Sequence, residues 1–551
     1  MNGEEKKCII EAGQLMEQQC WEEALSVIYQ GIHWNNRSYE LYFMLAQCKE
    51  ILGKNEQAAL SYQNALFYAT DEDYPVIEQC YQEFLKASPV EPKKVSIVLV
   101  TYNQLEMTQL CVESIRYNNP YGTYEIIVVD NLSTDGTREW LCEQEDIRAI
   151  LNETNKGFPT ACNQGAEIAS AGNEIFLLNN DTILMENSIY NLRMALYESE
   201  RTGAVGACSN KAGNRQQIAE KYQSIDEYAL YAKTHNCYDP SKHDKRLRLI
   251  GFAMLFPRDV WEQVGGFDER YGLGNYEDDD ISLKLLSQGL DLIFCRDSFI
   301  FHFGGASFGS FHKQRNEEYQ RILLRNKALF EEKWKIRWGY FSHSRTDLLG
   351  YIEEVAEKKM NILEIGCASG ATLLEIGNRY PNASLYGIEM NQDVVDIASK
   401  YLSIVQGDIQ EKINPFQQTY DYIILGDVLE HLCDPEDILK EIRNWLNPGG
   451  HLVISVPNLM HISVLEPLLH GRFTYQDEGI LDRTHLKFFT RMELIDMIGR
   501  CGFELERMGG NTVELSKQQT QYIERLIQMD PSISKEELLV YQYRLKAKKG
   551  S

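Results

Sequence analysis

Positive charge is scarce in this chain. Its 551 residues carry 55 Lys and Arg against 81 Asp and Glu, a formal net charge of -26. A surface that acidic disfavours nucleic acid or anionic membrane as a partner through a general basic face, though a local basic groove stays compatible with it. The 13 cysteines are scattered singly and form no C-x-x-C pair. That argues against a disulfide framework or a zinc site of the usual spacing, and for reduced thiols in a cytosolic protein. No run of about 18 apolar residues occurs, so no transmembrane segment is expected. The opening MNGEEKKCII has no apolar signal core. Prolines number only 14 and 44% of residues are hydrophobic. The expectation is a soluble, cytoplasmic, globular protein, and its length predicts three or four domains.

What is present begins with helical patterning over residues 1–90. Ala12, Ala24 and Gly31 are matched by Ala46, Ala58 and Ala65, each pair 34 positions apart. This is the tetratricopeptide period, in which small residues let paired helices pack closely. Two repeats and a closing helix, VIEQCYQEFLKAS, resemble a tetratricopeptide stack, which implies a role in holding a protein partner rather than chemistry. A proline-bearing stretch, SPVEPKK, then marks a boundary.

From residue 94 the pattern changes to buried strands alternating with helices: VSIVLVTYN, YEIIVVDNLSTDGT, IRAILNETNKGF and NEIFLLNNDTIL. Such alternation means a parallel α/β sheet, which binds ligands at the carboxyl ends of its strands. Thr101, Asn103, Asp130 and Asp181 fall at those ends. Further on, YEDDDISLKLLSQG sets Glu277, Asp278, Asp279 and Asp280 in a row. Four adjacent acids repel one another and need partners or solvent, although a helix N-terminus also favours them.

VSIVLVTYN, IIVVDNLSTDGT, NKGFPTACNQGA, FLLNNDT, GGFDERY…YEDDDISLKLLSQG and HFGGAS stand in the order found in inverting glycosyltransferases of family two, which have the GT-A fold. The resemblance covers residues 94–335 and is nearest to rhamnosyltransferase-type members of bacterial surface-glycan pathways. It implies a nucleotide-diphosphate sugar donor, such as dTDP-rhamnose or a UDP-sugar, and a glycan or protein acceptor. Thr101, Asn103, Asp130, Asn155, Asn180 and Asp181 become candidate donor contacts; Asp130 fits a strand-end turn cap equally well. Asp181 and His302 become candidate ligands of a divalent metal, Mn2+ or Mg2+, which neutralises a departing diphosphate. The family carries acids at both ends of its D-x-D triplet, whereas this chain has Asn179 at the first position. That departure implies weaker metal binding, or more coordination by the diphosphate. Inversion needs a base opposite the leaving group. Asp278 is the candidate, with Glu277 as helper, and Asp279 and Asp280 are expected to support the helix start.

After a connection at 336–346, MNILEIGCASGATLLEIGNRY gives a strand, a glycine loop and a helix. The run Glu364 to Gly370, then SLYGIEM, SIVQGDI, YDYIILGDVLEHLCDP and LNPGGHLVISVPN, resembles class I S-adenosylmethionine methyltransferases over about 347–512. The loop reads E-x-G-x-x-x-G rather than G-x-G-x-x-G, which favours S-adenosylmethionine over a dinucleotide. The resemblance implies that Glu364, Gly366, Gly370, Glu389, Asp408 and Asp427 hold the cofactor, with Asp427 also placed to position the substrate. LDRTHLKFFT resembles a segment of sugar and small-molecule O-methyltransferases, which makes His485 the candidate base. His431 is the alternative, and it fits a packing role as well. Residues 513–551 read as a tail of two polar-faced helices, with SISKEEL as a helix start.

The expected architecture is therefore multidomain: an α-helical repeat domain followed by two α/β domains, one of GT-A type and one Rossmann-like. The expected function is sugar transfer coupled to sugar O-methylation in bacterial surface-glycan synthesis. Two alternatives stay open: a flagellin or surface-layer protein glycosyltransferase, and a scaffold in which one α/β domain is inactive.

Overall fold

The computed structural model describes residues 3–88, 90, 92–304 and 316–550, in two compact units, Met1–Lys335 and Ile336–Ser551. Among the described residues no helix is long and apolar enough to cross a membrane.

The first unit opens with α1 (Gly3–Glu17), α2 (Trp21–Trp34), α3 (Tyr39–Ile51), α4 (Asn55–Tyr68) and α5 (Tyr74–Ala87). The small residues 34 apart lie between the paired helices: Ala12, Ala24, Ala46, Ala58 and Ala65 are all fully buried. A Cβ on Gly31 would sit 2.7 Å from Leu41 Cδ1, so that crossing requires glycine. The apolar face these helices share is not left open. Its core continues into Tyr190, Met194, Cys237 and Tyr238 of the following α/β region. Polar pairing seals the seam. Asn187 donates to Asn36 O at 2.7 Å and Tyr42 Oη at 3.1 Å and accepts from Tyr68 at 3.0 Å. Gln57 donates to Met194 O at 2.8 Å. Buried amides satisfied this way fix one docking geometry, because any other leaves them unpaired.

The α/β region is a mixed nine-stranded sheet. Its strands are β1 (Val95–Thr101), β2 (Tyr124–Asp130), β3 (Ile147–Leu151), β4 (Glu174–Asn179), β5 (Thr182–Leu184), β6 (Thr202–Cys208), β7 (His243–Arg246), β8 (Ala253–Phe256) and β9 (Asp291–His302). They run in the order β3-β2-β1-β4-β8-β6-β9-β5, with β7 on β9. The first four are parallel, and β8 lies antiparallel between β4 and β6. Short β5 turns back antiparallel on β9 and pairs Thr182 with His302. The register thus carries Asp181, one residue earlier, to His302.

The second unit holds β10 (Asn361–Ile365), β11 (Ser384–Glu389), β12 (Ser403–Gln406), β13 (Tyr420–Gly426), β14 (Leu446–Pro457), β15 (Phe503–Thr512) and β16 (Val540–Lys549). Their order is β12-β11-β10-β13-β14-β16-β15. The first five are parallel, so the strand order reverses between β10 and β13, where open α/β sheets bind ligands.

Two segments differ from their sequence reading. The tail does form helices at Lys517–Met529 and Lys535–Leu539. Residues Val540–Lys549, however, are β16, an interior strand antiparallel to both β14 and β15. Tyr543, Leu545 and Ala547 point into the core, and between them Arg544 and Lys546 cover the rings of Tyr351 and Tyr422. The polar alternation that resembles a surface helix is one face of a strand. Residues 336–346, in turn, are not a free connection. Ile336, Trp338 and Phe341 are buried, and Ser369 Oγ of the glycine loop bonds Phe341 O.

Candidate active sites

In the first unit the acidic run begins the helix Glu277–Ser287, entered through Asn275 (φ 75°) and Tyr276 (φ 74°). Left-handed backbone at two successive non-glycine residues needs outside support. Asn326 supplies it: fully buried, its amide donates to Tyr271 O, Gly274 O and Asn275 O at 2.8–3.0 Å. The four acids then separate by partner. Asp279 is ion-paired to Arg248 at 2.7 Å. Asp280 takes Lys333, Trp334 Nε1 at 2.8 Å and Tyr271. Both are neutralised by protein partners. Among the described residues Asp278 accepts only backbone N–H groups, from Gly251 at 3.3 Å and Asp279 at 2.9 Å. Burial, then the charge of Asp279, push its pKa up to about 7. Burial and Asp278 raise Glu277 well above the ordinary range, and Glu277 Oε2 has no hydrogen-bond partner. A half-buried carboxyl poised near neutrality, beside a second that favours its proton, can act as a base.

Gly251 and Phe252 link this group to the second pair. Phe252 stacks on the His302 ring at 5.2 Å. His302 Nδ1 bonds Lys211 O at 2.9 Å, and Nε2 faces Asp181 Oδ1 at 3.2 Å. With Nδ1–H committed to a carbonyl, a neutral imidazole turns a lone pair toward the carboxylate. That contact needs a proton or a cation to be favourable. Asp181 and His302 therefore fit a divalent ion.

The other donor-site candidates divide. Thr101 and Asp130 are fully buried. Asp130 accepts Ser133 N at 3.0 Å and pairs with Arg138 at 3.7 Å, so its geometry is that of the turn cap. Asn103 (φ 60°) accepts from Thr134 N at 2.8 Å and braces the same turn. Asn155 is exposed and caps Gly157 N. Asn180 turns away from the strand ends and donates to Thr108 Oγ1 at 3.0 Å, so its side chain is a brace to the helix Leu105–Asn118 and not a site group. The part of HFGGAS beyond Gly304 lies outside the described residues.

In the second unit the glycine loop has the shape of a cofactor cradle. Gly366 (φ 70°) and Gly370 (φ 79°) are left-handed, and a Cβ on Gly370 would meet Leu402 Cδ1 at 2.4 Å. Glu389 accepts N–H groups from Ala368 and Asn391, both at 2.9 Å, which fixes the loop against β11. Glu364 lies beneath it, almost wholly enclosed, with Oε2 unpartnered. Burial lifts its pKa to about 8. A cationic group in the cradle would satisfy that oxygen, so these residues fit S-adenosylmethionine. Asp408 caps Gln410 N at 2.9 Å.

Asp427 is held by several protein partners. One oxygen accepts Ser455 Oγ at 2.8 Å and Gln542 Nε2 at 2.6 Å; the other pairs with Arg345 at 2.7 Å. Its side chain stays 39% exposed beside these three partners. Arg345, from the segment read as a connection, and Gln542, from the segment read as a tail, were not legible as site residues. Neither sits in a motif, and only the tertiary fold brings them here.

His485 and His431 stand together, ring centroids 4.8 Å apart. Each commits Nδ1 to a carbonyl: His485 to Ile480 O at 2.9 Å and His431 to Thr484 O at 3.2 Å. Each neutral ring thereby presents an unprotonated Nε2. Burial, with the neighbouring imidazole, lowers the pKa of His431. Beside them Glu430 is 1% exposed, with neither carboxylate oxygen hydrogen-bonded. Ligand atoms of Glu430, His431 and His485 lie within 4.8 Å of one another. Burial raises the Glu430 pKa well above the ordinary range. Three bare acceptors in one place suit a base with its proton acceptor, or a divalent cation.

Two family models match regions of this chain. Residues 96–265 match the family model "Glycosyl transferase family 2", and residues 312–507 match "Methyltransferase domain". An uncharacterized protein of Sinorhizobium fredii is 28% identical over 255 residues, 44% of this chain and 27% of its own length. A malonyl-[acyl-carrier protein] O-methyltransferase of Halalkalibacterium halodurans is 30% identical over 102 residues, 17% of this chain and 38% of the relative. A ubiquinone biosynthesis O-methyltransferase of Vibrio atlanticus is 27% identical over 161 residues, 27% of this chain and 66% of the relative. The chain thus spans well under half the length of the first two. Among solved structures, a mannosyltransferase of Pyrobaculum calidifontis in complex with GDP-Man and Mn2+ aligns over 47% of this chain and 72% of its own, at 19% identity and a TM-score of 0.30.

Proposed function

We propose that this chain, which carries a family 2 glycosyltransferase region and a methyltransferase region, is a bifunctional enzyme of bacterial surface-glycan synthesis. One unit transfers a sugar, with inversion, from a nucleotide-diphosphate donor to a glycan or protein acceptor. The other methylates a sugar hydroxyl. The observation that supports the reading is common to both units: each holds a buried, under-partnered polar cluster, at Glu277 and Asp278 in one and at Glu430, His431 and His485 in the other.

In the transferase unit Asp278 takes the proton of the acceptor hydroxyl as its oxygen forms the new glycosidic bond, and the donor's anomeric carbon–phosphate bond breaks on the opposite face. A pKa near neutrality lets that carboxylate be ionised at working pH and still accept a proton. Asp181 and His302 hold a divalent cation, which neutralises charge on the departing diphosphate. In the methyltransferase unit Glu364, Gly366 and Gly370 cradle S-adenosylmethionine, with Glu389 fixing the loop. Bound there, the cofactor supplies an electrophilic methyl group. His485 Nε2 removes the acceptor's proton, and the chain's remaining task is alignment.

The Glu430, His431 and His485 cluster favours a second reading of that step, in which the three hold a divalent cation that orients the acceptor oxygen. Chelation separates the two readings. Methyl transfer through His485 as a free base persists after dialysis against EDTA; transfer through a bound cation is lost and returns on adding metal.

The test of the whole is turnover of a nucleotide-sugar panel with and without Mn2+ or Mg2+, read as released nucleoside diphosphate, alongside S-adenosylmethionine titration. Metal-stimulated release from one donor, with cofactor binding, supports the bifunctional reading. Cofactor binding with no donor bound or turned over leaves the first α/β unit a binding scaffold.

A further inference from the structure

The loop after β6 folds back on the strand that ends in His302. Asn210 clamps the His302 backbone from both sides, accepting its N–H at 2.8 Å and donating to its carbonyl at 3.1 Å. Lys211 follows, and its carbonyl is the one that fixes the His302 ring at 2.9 Å. Its side chain then wraps over the strand end. A Cβ on Gly304 would lie 2.5 Å from Lys211 Cδ, so glycine at 304 (φ 67°) leaves the space through which the lysine stem passes. The ammonium donates to Phe303 O at 3.1 Å and Gly304 O at 2.9 Å. Phe303 N in turn donates to Asp181 O at 3.0 Å. Lys211 is therefore built into the same few residues that bring Asp181 and His302 together.

Its charge is not answered there. An ammonium has three N–H donors and no acceptor; two are spent on carbonyls, which carry no net charge. Among the described residues no carboxylate pairs with it, and the side chain is exposed. Two arginines near the strand ends are neutralised, Arg248 by Asp279 at 2.7 Å and Arg138 by Asp130 at 3.7 Å. A held, unpaired cation with one free donor is suited to an anion arriving from solvent. The metal-binding set beside it is short of one acid, since Asn179 occupies the first position of the triplet.

We propose that Lys211 is a catalytic residue of the transferase, bonding the leaving diphosphate. The inference rests on the nucleotide-sugar reading of this unit. As the acceptor oxygen attacks, the bond between the anomeric carbon and the β-phosphate oxygen breaks, and its electron pair stays on that oxygen. The third N–H of Lys211 meets the growing charge with a charge-assisted hydrogen bond. The lysine keeps its proton throughout, and the acceptor's proton goes to Asp278. Because the two carbonyls already hold the ammonium, little reorganisation is needed at the moment of reaction.

The test uses the full chain with Lys211→Met and Lys211→Arg. Binding of a nucleoside diphosphate and of the matching monophosphate is titrated with and without Mn2+, and donor turnover is measured. Lys211→Met is expected to lower diphosphate affinity about 10-fold or more and kcat about 100-fold. Monophosphate affinity and Tm should stay close to wild type, and Lys211→Arg should recover most of both losses. Diphosphate affinity and kcat within twofold of wild type in Lys211→Met would overturn the assignment. Equal loss of mono- and diphosphate binding, with a lower Tm, would also overturn it and leave the lysine a pin for Gly304. A wild-type chain that binds neither nucleotide removes the transferase reading itself, and this inference with it.

Discussion

Replacing Asp278 by Asn is expected to abolish sugar transfer and to stabilise the protein in the same step. The carboxyl is half-buried beside Glu277 and Asp279, and its pKa of about 7 lies above the ordinary 3.8. The folded state therefore holds this proton more tightly than the unfolded chain does. Stability falls as pH rises from the ordinary carboxylate range to about 7, and is flat above that. Each pH unit in that window corresponds to about 1.4 kcal/mol for a fully shifted group, an upper bound of roughly 4 kcal/mol. Discounted for partial exposure and for sharing with Glu277, about 1–2 kcal/mol remains, a Tm gain of a few degrees. Asparagine carries no charge to bury, so the gain should appear at pH 8 and vanish near pH 4. Losing a general base costs about 100- to 10,000-fold in rate. Wild-type turnover should fall about tenfold per unit below pH 7 and level off above it. Nucleoside diphosphate release against pH, with scanning calorimetry at pH 4.5 and 8, covers both arms. Turnover within tenfold of wild type, or a lower Tm at pH 8, would refute the reasoning.

Three further outcomes follow from contacts already described. His485→Ala should abolish methyl transfer while S-adenosylmethionine still binds, as checked by calorimetric titration, because the imidazole is fixed by Ile480 O and His431 while the glycine loop is fixed by Glu389. Gly370→Ala should weaken cofactor binding at least 10-fold and lower the Tm, since its Cβ would meet Leu402 Cδ1 at 2.4 Å in left-handed backbone. Asn187→Ala should cost about 1–3 kcal/mol in chemical denaturation, because it removes the acceptor of the Tyr68 hydroxyl and the Asn64 amide and leaves Asn36 O and Tyr42 only each other in the seam between the helical repeats and the first sheet.

Much of this protein is readable in its sequence because the signals are local. The 34-residue spacing from Ala12 to Ala46 and from Gly31 to Ala65 needs only helix packing to interpret. The runs VSIVLV and NILEI are mostly apolar, interrupted by Ser96 and Glu364, because their strands are covered on both faces. Gly366 and Gly370 stand where a helix N-terminus must be approached closely, and acids close strand ends at Asp130, Asp181 and Glu389. What each strand-end group does is another matter. Asn180 and Asp181 are neighbours, yet one turns to Thr108 and the other to His302, because the turn into β5 sends their side chains to different elements. The roles of the four acids from Glu277 to Asp280 were likewise separable only by their partners: Arg248 and Lys333 neutralise two of them and leave Asp278 poised.

Composition and periodicity by themselves determined the class of most segments, since helix and strand patterns are set by which side chains must leave water. Tertiary structure alone decided the rest. It turned the repeat face onto Tyr190 and Met194, threaded Val540–Lys549 between β14 and β15, and brought Arg345 and Gln542 to Asp427 and Lys211 to His302. These pairings join residues far apart in the chain through single charges or amides, and a lone polar residue announces no partner until folding removes the water around it.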